Sequence, residues 1–251
     1  MADGLVFTLH NYSHEHELQR LATWEFPSSV VLGPAARWIV FIHGGAWRDP
    51  SNTYQDFLPT IEALLSSHPM LRPAIRGFAS LDYRLSSHPN HAQDPSSTPA
   101  DRLRCAKHPD HIRDICLALR YLDAKFNMRD RYILVGHSVG ATLAFQLLMG
   151  DQATKGFTSP AAQPTEAGAL PLPASILGIA GIYEFYDFAY RHGGPYIPMV
   201  EGALGPDHSK WNDAAPLKAS LAGRWTGNDW HFYHTRPMIP WLMATAKPPP
   251  W

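Results

Sequence analysis

The chain has 251 residues, of which 45% are hydrophobic and 17% are charged. This length and composition predict a single α/β domain over residues 1–251, with a full hydrophobic core. The formal net charge of −1 leaves no basic surplus, which argues against nucleic acid as a partner. Two cysteines are too few for the disulfide framework of a small secreted protein.

Targeting signals and membrane segments are also missing from the sequence pattern. The N-terminal residues lack the charged and apolar regions of a secretory signal peptide. No apolar run approaches the ~20 residues that a helix needs to span a bilayer. We therefore expect a cytoplasmic protein without a membrane partner. The sequence leaves the oligomeric state undecided, with a homodimer as one option.

Apolar runs bounded by Gly, Pro and polar residues predict strands that alternate with helices. The run at Arg37–Ile42 is nearly continuous, which is typical of a buried strand in a parallel sheet. Apolar residues at helical spacing mark the helices. The predicted strands are 5–9, 29–32, 37–42, 78–85 (with its exit), 132–135 and 174–180, and the predicted helices are 54–65, 109–126 and 141–149. Such alternation predicts a mostly parallel sheet flanked by helices on both faces.

The sequence Gly136-His-Ser-Val-Gly140 lies between a predicted strand and a predicted helix. Strand, G-x-S-x-G and helix in this order are typical of a nucleophile elbow. The tight turn requires small residues on both sides of the serine, and two glycines meet that demand. The pattern predicts Ser138 as a nucleophile at the carboxyl edge of the sheet, where the start of a helix favours negative charge. The motif alone is weak evidence, because a structural turn before a helix has the same letters.

A second motif, His-Gly-Gly-Ala-Trp at His43–Trp47, follows the first buried strand. Its two glycines allow the backbone to turn so that N–H groups point into a cleft. Acyl transfer needs such donors as an oxyanion hole, together with the N–H of the residue after the nucleophile. We predict Gly44 and Gly45 as the first donors and Val139 as the last. The alternative is a Gly-rich loop that only turns the chain. However, each of the two motifs directly follows an apolar strand, and this combination rarely occurs by chance.

Other polar and aromatic segments are less specific. Residues 86–107 are rich in Pro, Ser and His and predict a long loop. Within and after it, His88, His91 and His108 lack the spacing of a metal site, so no metal is expected. Residues 186–211 are aromatic, and two interpretations stay open: a surface cap packed on the core, or one side of a pocket for an aromatic substrate.

Four short runs occur in order along the chain: His43–Trp47, Asp82–Leu85, Gly136–Ala141 and Gly181–Tyr183. Together they resemble α/β-hydrolases of the hormone-sensitive-lipase-like type. The H-G-G-x-W form of the first run and the Gly-His-Ser-Val-Gly-Ala-Thr sequence of the third resemble eukaryotic kynurenine formamidase (arylformamidase). The resemblance covers roughly residues 37–220.

This resemblance implies an α/β-hydrolase fold and a serine hydrolase that converts N-formyl-L-kynurenine to L-kynurenine and formate in tryptophan breakdown. It implies a small aromatic formamide as substrate, and neither a metal nor an organic cofactor. Ser138 would match the nucleophile. The oxyanion-hole motif would comprise His43, Gly44, Gly45, Ala46 and Trp47, with Val139 after the nucleophile. Two alternatives stay open: a carboxylesterase on the same scaffold, or a non-catalytic hydrolase remnant.

The C-terminal tail, residues 221–251, departs from this pattern. In α/β-hydrolases an Asp or Glu and then a His follow the nucleophile on later strands. The tail has neither strand nor helix periodicity, so we expect the last C-terminal strands to be lacking. Asp229, His231 and His234 are the acid and base candidates there, but Asp229 and His231 are too close in sequence to come from two successive strand ends.

A frameshift or a splice error would explain the atypical tail. Reading the codons of residues 231–243 two bases later permits an apolar strand that ends in Ser-Pro-Asp-Asp. The codons of Met238 and Ile239 force an aspartate in that frame whatever the codon choice. We therefore hypothesise that the tail replaces the usual C-terminus. Sequencing the transcript across codons 220–240 tests this, and an in-frame read of the tail would overturn it.

Overall fold

The computed structural model describes residues 4–155 and 170–219 in full, and residues 230–235 and 239–245 by their backbone. Its strands form one mixed sheet in the order β1-β2-β4-β3-β5-β6-β8-β7. The strands are β1 (Val6–Asn11), β2 (Arg20–Glu25), β3 (Arg37–Ile42), β4 (Ile75–Leu81), β5 (Tyr132–His137), β6 (Ser175–Ile179), β7 (Trp230–Thr235) and β8 (Ile239–Thr245). The α-helices are α1 (Leu58–Ser67), α2 (Asp110–Phe126), α3 (Val139–Met149), α4 (Phe185–His192) and α5 (Tyr196–Leu204). Short 3₁₀ helices lie at Tyr54–Phe57, Pro69–Ala74, Pro89–His91, Ala100–Arg102, Gly150–Thr154, His208–Ala214 and Pro216–Lys218.

The centre of the sheet is parallel, which brings the functional motifs to one edge. β4, β3, β5 and β6 run in the same direction, while β2 pairs antiparallel with β4 and β1 pairs antiparallel with β2. The carboxyl ends of the parallel strands therefore meet at one edge. Because β2 runs the opposite way, its first residue reaches the same edge, where the Arg20 carbonyl accepts a hydrogen bond from the Asp82 N–H at 3.0 Å.

The two faces of the sheet have separate hydrophobic cores. Residues alternate between the faces along each strand, so Trp38, Val40 and Ile42 of β3 pack with α2 and α3 on one face. Phe41 of the same strand packs with Ile61 of α1 on the other face. This arrangement confirms the predicted α/β fold with helices on both sides. Among the described helices, none has the length and apolar character to cross a membrane.

Most predicted elements occur within a few residues of their expected positions, but one predicted strand is wrong. The segment 29–32 is not a strand: the Val30 N–H donates to the Pro27 carbonyl in a turn, and Val31 is 88% exposed. The strand in this region is β2, which pairs with β1 on one side and β4 on the other. Its sequence, Arg-Leu-Ala-Thr-Trp-Glu, has no apolar run, and one of its two partners, β4, lies far along the chain.

After β6 the sheet continues with an antiparallel hairpin. β8 pairs antiparallel with β6, and β7 pairs antiparallel with β8. Two strands therefore follow β6 in the tail, where the sequence has no strand periodicity, and both are paired only in antiparallel fashion. The predicted acid and base candidates, Asp229, His231 and His234, lie outside the residues whose side chains are described.

A buried polar network holds the exit of β4 against α2. Asp114 of α2 is fully buried, and its carboxylate accepts hydrogen bonds from the Arg84 guanidinium at 2.8 and 2.9 Å and from the Arg84 backbone N–H at 2.9 Å. Gln19, just before β2, donates to the same carboxylate at 3.0 Å. Three separate segments near the carboxyl edge therefore share one buried carboxylate.

Removing the Asp114 carboxylate should destabilise the fold strongly. Asp114→Ala leaves the Arg84 guanidinium, whose side chain is only 15% exposed, without its main partner, and breaking a buried ion pair costs about 3–5 kcal/mol. The control is Asp187→Ala, which breaks an exposed pair with Arg191 and should cost less than about 0.5 kcal/mol. Urea unfolding of both variants measures the difference. Equal midpoints for the two variants would contradict the role given to Asp114.

Candidate active site

Ser138 forms the turn between β5 and α3 by itself. β5 ends at His137 and α3 begins at Val139, and Ser138 between them has φ +53° and ψ −125°. Few residues other than glycine adopt such a backbone, and the strain costs about 1–3 kcal/mol. Its N–H donates to the Ile179 carbonyl at 2.7 Å, and its carbonyl accepts from the Ala141 N–H at 2.9 Å. β6 and α3 therefore hold the strained residue in place.

Both glycines of the G-x-S-x-G motif are required by close backbone contacts. A Cβ atom on Gly136 would overlap the Gly140 carbonyl and the backbone of Ala141. A Cβ atom on Gly140 would overlap the carbonyl oxygens of Ile42 and His43. The first turn of α3 thus lies directly against the end of β3, with no space for a side chain between them.

The His43–Trp47 loop lies beside Ser138. A Cβ atom on Gly44 would be 3.1 Å from the Ser138 Cβ atom, so backbone approaches the serine here without an intervening side chain. The next three residues, Gly45, Ala46 and Trp47, have φ values of +88°, +53° and +60°. A run of left-handed residues turns the chain sharply away from the strand direction. The structure therefore brings together the two motifs that the sequence predicts as nucleophile and oxyanion loop.

Trp47 anchors the far end of this loop. Its side chain is buried and contacts Phe185 at the start of α4, with ring centroids 5.9 Å apart in an edge-to-face arrangement. Its carbonyl accepts from the Ser86 N–H at 2.8 Å. The aromatic segment 186–211 thus begins next to the loop. Within it Trp211 is fully buried, whereas Tyr186, Tyr190 and Tyr196 are exposed to solvent, so only part of the segment packs on the core.

His43 and Tyr83 hold the carbonyl groups of the loop. The Tyr83 hydroxyl lies 3.0 Å from the Gly44 carbonyl and 3.2 Å from the His43 carbonyl, and its ring stacks on that of His43 with centroids 4.5 Å apart. In a trans peptide the C=O and N–H groups point in opposite directions. Since these two carbonyls face Tyr83, the N–H groups of Gly44 and Gly45 point away from it. Both groups therefore stay candidates for the predicted oxyanion donors, together with the N–H of Val139.

The His43 side chain is also hydrogen-bonded to the loop. Its Nδ1 atom lies 3.0 Å from the Gly44 carbonyl, and because a carbonyl only accepts, Nδ1 carries the proton. Burial lowers the pKa of His43, although Asp82 opposes this effect, so the imidazole is neutral at physiological pH. Its Nε2 atom is 3.8 Å from the Asp82 carboxylate, which is too far for a hydrogen bond. His43 therefore acts as a support of the loop.

Asp82 connects this support to the rest of the sheet edge. Its buried carboxylate accepts from the Arg20 Nε at 2.8 Å and from the Tyr54 N–H at 2.5 Å. Burial raises the pKa of Asp82, while His43 and Arg20 oppose the shift. Neither Asp82 nor Tyr83 has a role predicted from the sequence. The sequence feature that could have identified them is the Asp-Tyr-Arg run. It directly follows a buried strand and therefore lies at the same sheet edge as both motifs.

The histidines considered as metal ligands do not form a site. His88 and His91 lie near each other, with ring centroids 4.8 Å apart, but His108 is buried elsewhere, where its Nε2 atom contacts the Ala153 carbonyl at 2.5 Å. Among the described residues, no three acidic, histidine or cysteine side chains are arranged to hold a metal ion. His137, next to the nucleophile position, is exposed.

The contact between α3 and β3 can be tested with a pair of glycine variants. Gly140→Ala should destabilise the protein by at least about 1–3 kcal/mol, the usual cost of overpacking, because the methyl group meets two carbonyl oxygens. Gly202→Ala in α5 meets no atom within 4 Å and should stabilise by up to about 1 kcal/mol, since alanine is the better helix former. Thermal unfolding compares them. Unchanged stability of the Gly140 variant would disprove the close contact.

Comparisons with known proteins agree with this architecture. A family model described as "Alpha/beta hydrolase family" matches residues 39–251. The chain is 34% identical over 206 residues to kynurenine formamidase avaC of Aspergillus versicolor, covering 74% of this chain and 64% of the relative. It is 38% identical over 184 residues to the kynurenine formamidase-like hydrolase fscH of Fusarium equiseti, covering 71% and 56%. The chain thus spans less than two thirds of the length of either relative.

Solved structures with the same fold include an esterase and a hormone-sensitive-lipase homologue. Esterase B from Lactobacillus rhamnosis superposes with a TM-score of 0.58 at 14% identity, covering 87% of this chain and 62% of that one. The hormone-sensitive-lipase homologue EstE7 from a metagenome library superposes with a TM-score of 0.50 at 20% identity, covering 88% and 64%. At these identities the likeness concerns the fold alone. The family match, the sheet order and the turn at Ser138 lead to one conclusion: the chain belongs to the α/β-hydrolase family.

Proposed function

We propose that this protein is a serine hydrolase of the kynurenine formamidase type, which cleaves N-formyl-L-kynurenine to L-kynurenine and formate. The observation that carries the proposal is the approach of the Gly44 backbone to Ser138, where a Cβ atom would lie 3.1 Å from that of the serine. A nucleophile beside backbone donors is the arrangement that acyl transfer needs. The relatives named kynurenine formamidase support the substrate class.

In the proposed reaction the Ser138 hydroxyl attacks the formyl carbon. The resulting oxyanion accepts hydrogen bonds from the N–H groups of Gly44, Gly45 and Val139, assisted by the start of α3. A general base takes the serine proton and then transfers it to the leaving aniline nitrogen, so that L-kynurenine departs and a formyl-enzyme remains. Water hydrolyses this ester and releases formate.

The base in this scheme must be a residue other than His43. With its proton on Nδ1, its basic nitrogen is Nε2, which lies 3.8 Å from the Asp82 carboxylate, and its ring is buried. The sequence offers His231 and His234 after residue 220, with Asp229 as an acid. If His231 or His234 is the base, replacing it with Ala lowers kcat by orders of magnitude, whereas replacing the other one does not.

A carboxylesterase is the second candidate, because the same nucleophile and donors act on esters and the fold does not determine the substrate. The esterases of similar fold are consistent with it. A non-catalytic hydrolase remnant is the third candidate. A chain without a functional general base would match this description. The following experiment separates all three.

Replacing the proposed nucleophile should abolish both labelling and turnover. The purified protein is incubated with a fluorophosphonate probe, N-formyl-L-kynurenine and p-nitrophenyl acetate, with Ser138→Ala and the exposed Ser66→Ala as the matched pair. We expect labelling and formamide hydrolysis in the parent and in Ser66→Ala. In Ser138→Ala we expect no labelling and a kcat lower by up to about 10⁶, the loss typical for a removed serine nucleophile.

The other outcomes decide among the alternatives. Ester hydrolysis without formamide hydrolysis, lost in Ser138→Ala, would identify a carboxylesterase. Absence of both activities and of labelling in the parent protein would identify a non-catalytic remnant. Full activity in Ser138→Ala would disprove the proposed nucleophile.

A further inference from the structure

The β6–α4 segment (residues 179–185) touches both motifs of the candidate site. It begins at the last residue of β6 and ends at the first residue of α4. The carbonyl of Ile179 accepts the N–H of Ser138 at 2.7 Å. At the other end of the segment, the ring of Phe185 contacts the ring of Trp47, with centroids 5.9 Å apart. One short segment therefore contacts the serine turn at one end and the loop after β3 at the other.

Thr142 holds the middle of this segment. Its side chain is fully buried in α3. The Thr142 hydroxyl donates to the Ile182 carbonyl at 2.7 Å and accepts from the Ile182 N–H at 3.2 Å. A hydroxyl has one proton and two lone pairs, so both bonds can form at the same time. Both backbone polar groups of Ile182, itself a buried residue, are thus paired with a single side chain.

The same threonine belongs to the helical turn that starts at the serine. The Thr142 backbone N–H donates to the Ser138 carbonyl at 3.3 Å. Ser138 and Thr142 therefore both bond to the β6–α4 segment, at Ile179 and at Ile182 respectively. Between these two points Ala180 has φ +53°, a conformation that is strained for alanine and persists only when surrounding contacts hold it. The threonine bonds lie directly after this strained residue.

We propose that Thr142 is a positioning residue of the active site. Through Ile182 it fixes the β6–α4 segment, and this segment keeps Ser138 and the Trp47 end of the loop in the relative position that attack and oxyanion stabilisation require. Thr142 acts through these contacts and not by touching the substrate. The inference rests on the proposed function in one respect, that Ser138 is the nucleophile. It is the same for a formamide and for an ester.

The alternative is that Thr142 contributes only to stability, as any buried hydrogen-bonded side chain does. α3 itself offers a control for this alternative. Gln146 is also buried in α3, one turn further from the serine, and its side-chain amide donates to the Ala214 carbonyl at 2.8 Å. Ala214 lies outside the β6–α4 segment. A loss of stability alone should therefore be common to both positions, whereas a loss of positioning should be specific to Thr142.

The test compares three variants of the full chain. Thr142→Val keeps the shape of the side chain without the hydroxyl, Thr142→Ser keeps the hydroxyl, and Gln146→Leu removes the control hydrogen bond. For each variant, kcat and KM are measured with N-formyl-L-kynurenine and with p-nitrophenyl acetate. Hydrogen–deuterium exchange of the peptide that covers residues 43–47 reports on the loop without requiring turnover. Urea unfolding shows that each variant is folded under the assay conditions.

Thr142→Val should impair turnover more than binding. We expect kcat to fall by about 10- to 100-fold, the effect of a small misplacement of reacting groups. KM should change by less than about 3-fold, because substrate contacts are retained. Exchange in residues 43–47 should become about 5- to 100-fold faster, since two buried backbone groups of Ile182 lose their partner and local opening becomes easier. Thr142→Ser should restore both quantities to within about 3-fold of the parent, because the hydroxyl makes the bonds.

Gln146→Leu should lower the urea midpoint as Thr142→Val does, while its kcat and its loop exchange stay within about 2-fold of the parent, because additive effects of separate sites do not spread to the loop. The proposal is wrong if Gln146→Leu changes kcat and loop exchange as much as Thr142→Val does. It is equally wrong if Thr142→Val leaves loop exchange unchanged, or if Thr142→Ser is as impaired as Thr142→Val. A failure of the proposed function is visible separately, as absence of labelling and turnover in the parent protein, and the exchange comparison then decides the positioning role by itself.

Discussion

The close packing of the first turn of α3 against the end of β3 is the constraint on which the site depends. No side chain fits at Gly140, because the carbonyl oxygens of Ile42 and His43 occupy that space. The same approach sets the position of the next residue, Gly44, relative to Ser138. Ser138 and the loop therefore come from strands that are direct neighbours, β5 and β3, and backbone packing sets their distance.

The strain at Ser138 requires compensation, and α3 supplies it. Every residue of this helix is buried, which is typical of a helix surrounded by protein on all sides. Burying side chains such as Leu143 and Phe145 contributes about 1.5–3 kcal/mol each. A strained turn that costs about 1–3 kcal/mol is therefore small compared with the packing of the helix that it begins.

The features of the candidate site that sequence spacing predicts are the local ones, namely the tight turn at Ser138 and the glycine loop after β3. Gly136, Ser138 and Gly140 lie within five positions, and the His43–Trp47 motif follows a continuous apolar strand, so spacing alone indicates their geometry. The parts that it missed depend on distant partners. Asp82 pairs with Arg20, 62 positions away, and Tyr83 bonds to Gly44, 39 positions away. No periodicity in one segment reports such contacts.

The same reason explains the errors in the fold. Segment 29–32 has the β-branched and apolar residues of a strand but no neighbour to pair with, and it forms a turn. β2 has a mixed composition and becomes a strand because β1 and β4 pair with it on both sides. Strand propensity describes how well a residue packs on a pleated, half-buried sheet surface. Tertiary structure decides whether a neighbouring strand is present to form that sheet.

The neutral state of His43 determines how the site can stabilise negative charge. An imidazolium beside the loop would attract an oxyanion at any orientation. Burial lowers the pKa of His43, and its Nδ1 proton is bonded to the Gly44 carbonyl, so it supplies orientation and no net charge. In the proposed reaction, stabilisation comes from the N–H dipoles of the loop and the start of α3, which act only in one direction. Such donors are effective because they need no rearrangement during the reaction, and the contacts of His43 and Tyr83 with the loop carbonyls keep them in place.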